Sequence, residues 1–575
     1  MESIVLGRTK GCMDKKPKRG ALIESFLLSR YGKTNIKDAG LIEKNIPTIN
    51  FLEIVENYDT GLSFFKHGMD IDSLNNGKKL FMESYKGDKK ILIITDYDCD
   101  GINSAVVAAK LRDLYFNKDK IDIIVNKRKY GNGVNKNNFQ GLNLEDYSLI
   151  ITADHGSSNN NIFLYLKDEY ENIKIVVTDH HMIPEENPPI NADVLINNMK
   201  SEELSKNFSG CYTLWFYLFY ILNKEFKYKA IDILYPVVEN IAFSIISDVM
   251  DVSEPVNRTI FKLALKKINS GKCLFIENMR EVLPLPYNIT LEDFRFNICP
   301  AINSGNRLHE EELAFNALYK SNKEDIKNLM NLNERRKRIT KDVLNALEER
   351  KSIYLNSVAI CTVKTEYGIN GIIAGKIGEM YKRPSICFQK GEDGILHGSC
   401  RSIVPGFNML EIIKELNKRG LVAKYGGHKQ AVGCTVRESE YSEFITECEL
   451  LVKNQLGSLD VKDEILVDGI LHPEEVSFLD ILNLDFFTPY GNGFEDPTFY
   501  TEIYVDDSFT TETIARVTYN LNNRALIFLA FNNIKVPLRE TFKRGNKVGI
   551  VFKPSFSFYR GELNMKLIIT RAVVL

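Results

Sequence analysis

From Lys89 onward the chain alternates short, continuously apolar runs with stretches of helical spacing. Ile91-Leu92-Ile93-Ile94 is the first such run, and Ile121 to Val125, Leu149 to Thr152, Ile175 to Thr178 and Val194 to Ile196 repeat it. Ala105 to Phe116 and Asn159 to Tyr170 lie between them with helical spacing. A strand that is apolar at every position has both faces covered, so the pattern predicts an α/β fold with a parallel sheet between helical layers. Ile231 to Val249 predicts a further helix. The long polar segment from about Lys320 to Lys351 predicts a helix connecting two lobes. Ser357 to Thr362 opens a second α/β unit that runs to about Glu449. Beyond about residue 460 β-branched, aromatic and turn residues dominate, as in Ala525 to Phe531, Lys547 to Phe552 and Asn564 to Ile569. That composition predicts a small barrel.

Length fits this division, since 575 residues suffice for about four domains. The expected partition is an N-terminal extension or cap (1–75), a first α/β domain (76–318), a connecting helix (319–355), a second α/β domain (356–455) and the barrel (456–575). Formal charge is −2, so no global positive field advertises a nucleic-acid partner, and any such binding must come from local basic patches. Ten cysteines without CxxC or Cys/His spacing read as reduced thiols. Met1 to Gly20 is basic but lacks the apolar core of a secretory signal. Tyr212 to Leu222 is about half of a membrane span and reads as a buried helix. The expectation is a soluble, cytoplasmic protein (in the host cytoplasm if viral).

The acids and histidines change the picture from fold to chemistry. Asp96, Asp98 and Asp100 follow the first strand; Asp154 and His155 follow the run at 149–152; Asp179, His180 and His181 follow the run at 175–178. In an open parallel sheet, ligands bind beyond the carboxyl ends of the strands. Asp248 can join from the helical region beyond. A lone Asp after a strand is more often a turn former, but three independent strand ends with this chemistry reverse those odds. Gathered carboxylates repel one another, and a cation is the natural reason to assemble them. Oxygen donors with one or two imidazoles favour Mn²⁺ or Mg²⁺. A pair of such ions suits in-line attack of water on a phosphodiester.

These segments resemble a known family. Asp96-Tyr97-Asp98-Cys99-Asp100-Gly101, Thr152-Ala153-Asp154-His155-Gly156, Thr178-Asp179-His180-His181 and Ser247-Asp248-Val249 are similar to the four metal motifs of RecJ-type DHH phosphoesterases. Arg128 with Tyr130-Gly131 echoes a further loop of that family. Pro300 to Leu308 resembles its "PRxNAAGRL" segment, with Ala301 in place of the arginine and Asn306 in place of the later glycine. The stretch from Gly371 to Ile377, then Gly398 to Ser402, then Gly426-Gly427-His428 are similar to the DHHA1 domain, and Pro489 to Gly493 with the final strands to the RecJ oligonucleotide-binding (OB) barrel. The resemblance implies that Asp98, Asp100, Asp154, His180 and Asp248 are metal ligands with Asp96 close by. It implies that His181 faces the scissile phosphate, and that Arg307, Ser399, Arg401, Gly427 and His428 hold substrate.

The implied activity is two-metal hydrolysis of single-stranded DNA, from the 5′ end, releasing mononucleotides. Alternatives are a DHH phosphodiesterase of short oligonucleotides and a catalytically silent DNA-binding relative. The implied partner is single-stranded DNA, held by a monomer, with a single-strand-binding protein or helicase left open. Arg335-Arg336-Lys337-Arg338 reads equally as a groove lining or a solvated helix face. Phe528, Phe531, Phe556, Phe558 and Tyr559 divide between base stacking and the barrel core.

Overall fold

The computed structural model of the protein describes residues 4–7, 21–31, 69–131, 133–202, 205–391, 394–458, 464–484, 487–521, 524–534, 536–559 and 562–575. Most of the expected N-terminal extension and the boundary near residue 460 lie outside the described residues. The chain forms two compact units. The larger takes Asn50–Met250 and Ile260–Val461; the smaller takes Met1–Ile49, Asp251–Thr259 and Lys462–Leu575.

In the larger unit five parallel strands form one sheet in the spatial order Ile121–Val125, Lys90–Thr95, Tyr147–Ala153, Lys174–Asp179, Val194–Asn197. Each predicted run is a strand, with the same bounds or slightly wider ones. One face buries Leu92, Ile94, Ile150, Ile175 and Val177 with Phe163 and Leu166 of the helix Asn160–Glu169. Helix Gly210–Phe226 contains the predicted buried segment and is buried from Gly210 through Leu222, Trp215 included. A helix apolar on every side belongs inside a core. Each such aliphatic or aromatic side chain contributes roughly 1.5–3 kcal/mol when fully buried. No helix among the described residues is long and apolar enough to cross a membrane.

Two element boundaries differ from the sequence reading for local reasons. The first helix starts at Cys99 instead of Ala105, because Asp98 caps it by accepting from the backbone N–H of Asp100 and Gly101. The segment 231–249 is broken near Pro236 into Ala230–Leu234 and Val238–Ser247. The connecting helix is real, spanning Lys323–Glu349, and buries Ile326, Leu329, Met330 and Leu332. It leads to a six-stranded mixed sheet in the order Lys424–His428, Ala431–Arg437, Ile395–Arg401, Ser385–Lys390, Ala359–Val363, Ile353–Leu355. Helix Asn370–Tyr381 covers one face of that sheet through Ile373, Ala374 and Ile377.

The smaller unit is built on a seven-stranded mixed sheet from Gly469–Ile470 to Asp507–Thr510. Phe499, Phe528, Phe542 and Phe552 lie in its core. Helix Ala21–Tyr31 joins this core through Leu22, Phe26 and Leu27. Its Arg30 and Ser29 bind the buried Asp468 carboxylate.

Candidate metal centre and anion cradle

The acids converge because the sheet is in register. Thr95 aligns with Ala153, and Ala153 with Thr178, so the next residues, Asp96, Asp154 and Asp179, emerge side by side at the carboxyl edge. Asp154 takes the left-handed conformation, φ 64°, which turns the chain sharply at that edge. Asp248 arrives from the C-terminal end of the helix Val238–Ser247.

Three overlapping sets form: Asp96, Asp98 and Asp154; Asp100, Asp154, His180 and Asp248; Asp154, Asp179, His180 and His181. Within each, one donor atom per residue lies within 4.8 Å of the others. His180 Nε2 stands 3.2 Å from Asp154 Oδ1, 3.2 Å from Asp248 Oδ2 and 3.7 Å from Asp100 Oδ2. Burial, then the charge of neighbouring carboxylates, pushes the Asp96, Asp98, Asp100 and Asp154 carboxyls above their ordinary range. Buried Asp96 Oδ1, Asp154 Oδ1 and His180 Nε2 have no hydrogen-bond partner. Four gathered carboxyls that resist ionisation, with buried polar atoms left unsatisfied, fit divalent cations, and oxygen donors with one imidazole suit Mn²⁺ or Mg²⁺.

Side chains and amides around the acids fix their positions. Asp100 accepts from Gly210 N–H and Cys211 N–H, both at 2.8 Å, and from the Ser244 hydroxyl at 2.6 Å. At Gly210 a Cβ would stand 2.4 Å from Asp154 Oδ1, so the helix start packs directly on that carboxylate. Asp179 accepts from the N–H groups of Ser157, His180 and His181 and from His181 Nδ1 at 2.8 Å. Burial opposes ionisation of Asp179, but His181 outweighs it and holds the carboxyl far below the usual range. Burial likewise opposes protonation of His181, yet Asp179 pushes the imidazole up to about 10. The Asp179 carboxylate thus fixes the orientation of the His181 ring, whose side chain is 43% exposed. Gly210, Ser244 and the role of Asp179 escaped the sequence reading. Only the Ser209 cap before Gly210 marks that helix start locally.

A second group faces the acids with the opposite charge. Arg307 is pushed down to about 9 by burial and by the nearby Arg128 and Arg401 guanidiniums. Its Nη1 donates to Gly368 O at 2.9 Å. Arg128 lies over the Tyr97 ring, 5.5 Å from its centroid, between Asp96 and Asp98 in sequence. Neighbouring guanidiniums that lower one another's pKa make a candidate site for an anion. His428 stacks against His181 with centroids 6.3 Å apart and planes 16° from parallel. Gly427 has φ 139° and a Cβ there would meet Ala431 O at 2.2 Å. Ser399 lies two residues from Arg401 on one strand, in register with Gly433 and, beyond it, Gly426, where a Cβ would meet nothing. The structure thus brings Asp96, Asp98, Asp100, Asp154, His180, His181 and Asp248 together, with Arg307, Arg401 and His428 beside them. Ser399 and Gly427 lie on the adjoining sheet.

Several other expected contacts look different. Arg335, Lys337 and Arg338 are exposed, and Lys337 pairs with Glu334. In the smaller unit Lys547 pairs with Glu502 and Lys553 with Asp496. Phe528 is core, and Phe556 packs edge-on against Phe478. The side chains of Phe558 and Tyr559 lie outside the described residues. Exposed aromatics of that unit include Phe531 and two that sequence did not single out, Tyr504 and Phe509.

With the geometry in place, the class follows. Residues 90–238 match the DHH family, N-terminal domain, and residues 355–454 match the DHHA1 domain. The chain is a DHH/DHHA1 protein. Residues 467–571 match the RecJ OB domain, and with that third domain the chain belongs to the RecJ-like branch of the superfamily. It is 27% identical over 455 residues to the single-stranded-DNA-specific exonuclease RecJ of Haemophilus influenzae, covering 74% of this chain and 77% of that protein. To the protein of the same name from Bacillus subtilis it is 25% identical over 555 residues, covering 92% of this chain and 68% of the relative. The fold matches a crystal structure of RecJ in complex with Mn²⁺ from Thermus thermophilus with a TM-score of 0.71 at 20% identity, over 92% of this chain and 78% of that one.

Proposed function

We propose that the protein is a metal-dependent exonuclease of single-stranded DNA that works from the 5′ end and releases mononucleotides. The observation that carries this reading is one edge lined by unsatisfied carboxylates and an imidazole, with guanidiniums adjacent. Similarity to relatives named single-stranded-DNA-specific exonuclease supports the substrate class. In this reading Asp98, Asp100, Asp154, His180 and Asp248 hold two Mn²⁺ or Mg²⁺ ions, with Asp96 as a further ligand or close neighbour. Bound there, the ions supply Lewis-acid polarisation of the phosphate and lower the pKa of the attacking water. Arg307 and Arg401, with Ser399, Gly427 and His428, bind the phosphates of the strand. His181, charged and oriented by Asp179, donates to the oxygen on which charge develops.

The domain partition we infer keeps the catalytic acids before residue 251, the phosphate shelf in 356–455 and strand holding in the barrel. The outer face there carries Phe509 in register with Arg516, and Phe531 in register with Ile514. Exposed aromatics beside a guanidinium suit stacking on bases. A cytoplasmic monomer acting on free DNA ends is consistent with this chemistry.

The test is digestion of a strand labelled at either end, with Mn²⁺, Mg²⁺ or EDTA. The 5′ label should appear first as a mononucleotide, EDTA should stop the reaction, and a duplex should be spared. Prior release of a 3′ label overturns the polarity. Cleavage confined to oligonucleotides of a few residues favours the short-substrate alternative, and binding without cleavage favours a silent relative.

A further inference from the structure

Three charged side chains inside the larger unit have no part in the chemistry described so far. Glu239 and Lys267 are buried, and Lys267 Nζ donates to Glu239 Oε2 at 2.6 Å. Lys267 also donates to the carbonyls of Tyr235 and Pro236, at the break that precedes the helix Val238–Ser247. Half-buried Lys110 places its Nζ 3.5 Å from Glu239 Oε1 and donates to Asn240 Oδ1 at 2.9 Å. From there the bonds run inward: Asn240 Nδ2 donates to Asn103 Oδ1 at 2.9 Å, and Asn103 Nδ2 to Cys99 O at 2.7 Å. Both asparagines are buried. An ammonium can only donate and a carbonyl can only accept, so the two ends fix the orientation of both amides.

The two asparagines stand on the two helices that deliver acids to the metal centre. Asn103 is in the helix Cys99–Tyr115, which Asp98 caps and whose first turn holds Asp100. Asn240 is in the helix Val238–Ser247, and Asp248 follows its last residue. A second bond joins the same helices nearer the acids, from Ser244 Oγ to Asp100 Oδ1 at 2.6 Å. Leaving a buried amide unpaired is costly, so the pair favours the one axial register of the helices in which both amides are satisfied. A slip of a single residue, about 1.5 Å along a helix axis, breaks a 2.9 Å bond. Metal–ligand distances tolerate only about 0.2 Å, and Asp100 and Asp248 fall in one candidate ligand set. The relative placement of the two helices therefore decides whether both carboxylates reach one ion.

We propose that Asn103 and Asn240 are positioning residues for the metal centre: their buried amide pair sets the register of the two acid-bearing helices and so the gap between Asp100 and Asp248. Lys110, held at Glu239, orients the pair from behind. Every residue of this network lies in the larger unit. The inference rests on Asp100 and Asp248 being ligands in the proposed metal centre.

The experiment uses full-length protein and Mn²⁺ alone, followed by the electron paramagnetic resonance signal of free Mn²⁺ with no DNA present. Asn103→Leu and Asn240→Leu should each weaken Mn²⁺ binding by about tenfold or more, the scale on which outer partners of metal ligands act. The double variant should bind no more weakly than the worse single, because the pair acts as one link. Phe163→Leu, a core change on the helix Asn160–Glu169 of the same unit, is the control and should leave Mn²⁺ affinity within twofold of wild type. If either single variant, folded by circular dichroism, binds Mn²⁺ within twofold of wild type, the inference fails. It fails equally if the two losses multiply in the double variant, or if Phe163→Leu weakens binding as much. Asn103→Ala and Asn240→Ala are run beside the leucines; if at one position neither substitution folds, the pair is a requirement of the fold and the inference also fails. Wild-type protein that binds no Mn²⁺, or Asp154→Asn that binds it undiminished, would instead overturn the metal-centre reading itself.

Discussion

At the scale of single residues, the site depends on groups that never touch substrate. Asp179 accepts from His181 Nδ1 and from the N–H groups of both histidines. Loss of such an outer partner typically costs 10–100-fold in metal affinity or activity. Asp179→Asn should therefore lower kcat by about 10–100-fold in single-turnover digestion, with the strand affinity little changed; an unchanged rate would remove His181 from the chemistry. Gly210→Ala forces a methyl against Asp154 and should weaken Mn²⁺ binding without unfolding the helix, checked by titration and circular dichroism. The convergence of acids at the sheet edge was legible in sequence because Asp96, Asp154 and Asp179 each follow an apolar strand, and position after a strand fixes position at the sheet edge. Gly210 and Ser244 were not legible: they meet Asp100 from 110 and 144 residues away, and nothing local encodes that meeting.

At the scale of elements, continuous apolar runs gave the three central strands of the catalytic sheet, since a buried strand leaves no ambiguity of face, while the edge strand Ile121–Val125 carries Asp122 and is only partly buried. Boundaries were less legible where polar residues sit inside. The buried Asp100, Asn103 and Ser104 hid the first turns of the helix Cys99–Tyr115, and a proline interrupted an otherwise helical pattern at 236. The barrel strands were legible as strands, but not which aromatic faces out. That depends on register, and a shift of one residue exchanges the faces. Register puts Phe509 and Phe531 outside and Phe528 inside. The double variant Phe509→Ala/Phe531→Ala should weaken binding of a long single strand by about 1–3 kcal/mol per lost stacking contact, read by fluorescence anisotropy. Cleavage of a dinucleotide should be unaffected. Lys547→Ala and Lys553→Ala should barely alter the salt dependence, because both lysines are already paired with carboxylates.

At the scale of the whole molecule, gathered carboxylates make the larger unit depend on its ions. Mn²⁺ at 100 times its dissociation constant should stabilise that unit by about 2.7 kcal/mol, seen as a rise in its calorimetric transition that EDTA reverses; a transition indifferent to both would argue against the site. Two units make a single melting temperature a poor measure, so the transitions must be resolved. The smaller unit has a further property, because its pieces come from widely separated stretches of chain. Helix Ala21–Tyr31 places Leu22, Phe26 and Leu27 in a core whose other described members all come from residue 471 onward, and Arg30 meets Asp468, 438 positions later. At ~5–20 residues per second on the ribosome, that helix waits about 20–90 s for its partners. Through that interval its apolar face is open to chaperones and to neighbouring nascent chains. Synthesis therefore imposes an order in which the parallel sheet of the larger unit is complete long before the smaller unit can close on its N-terminal helix.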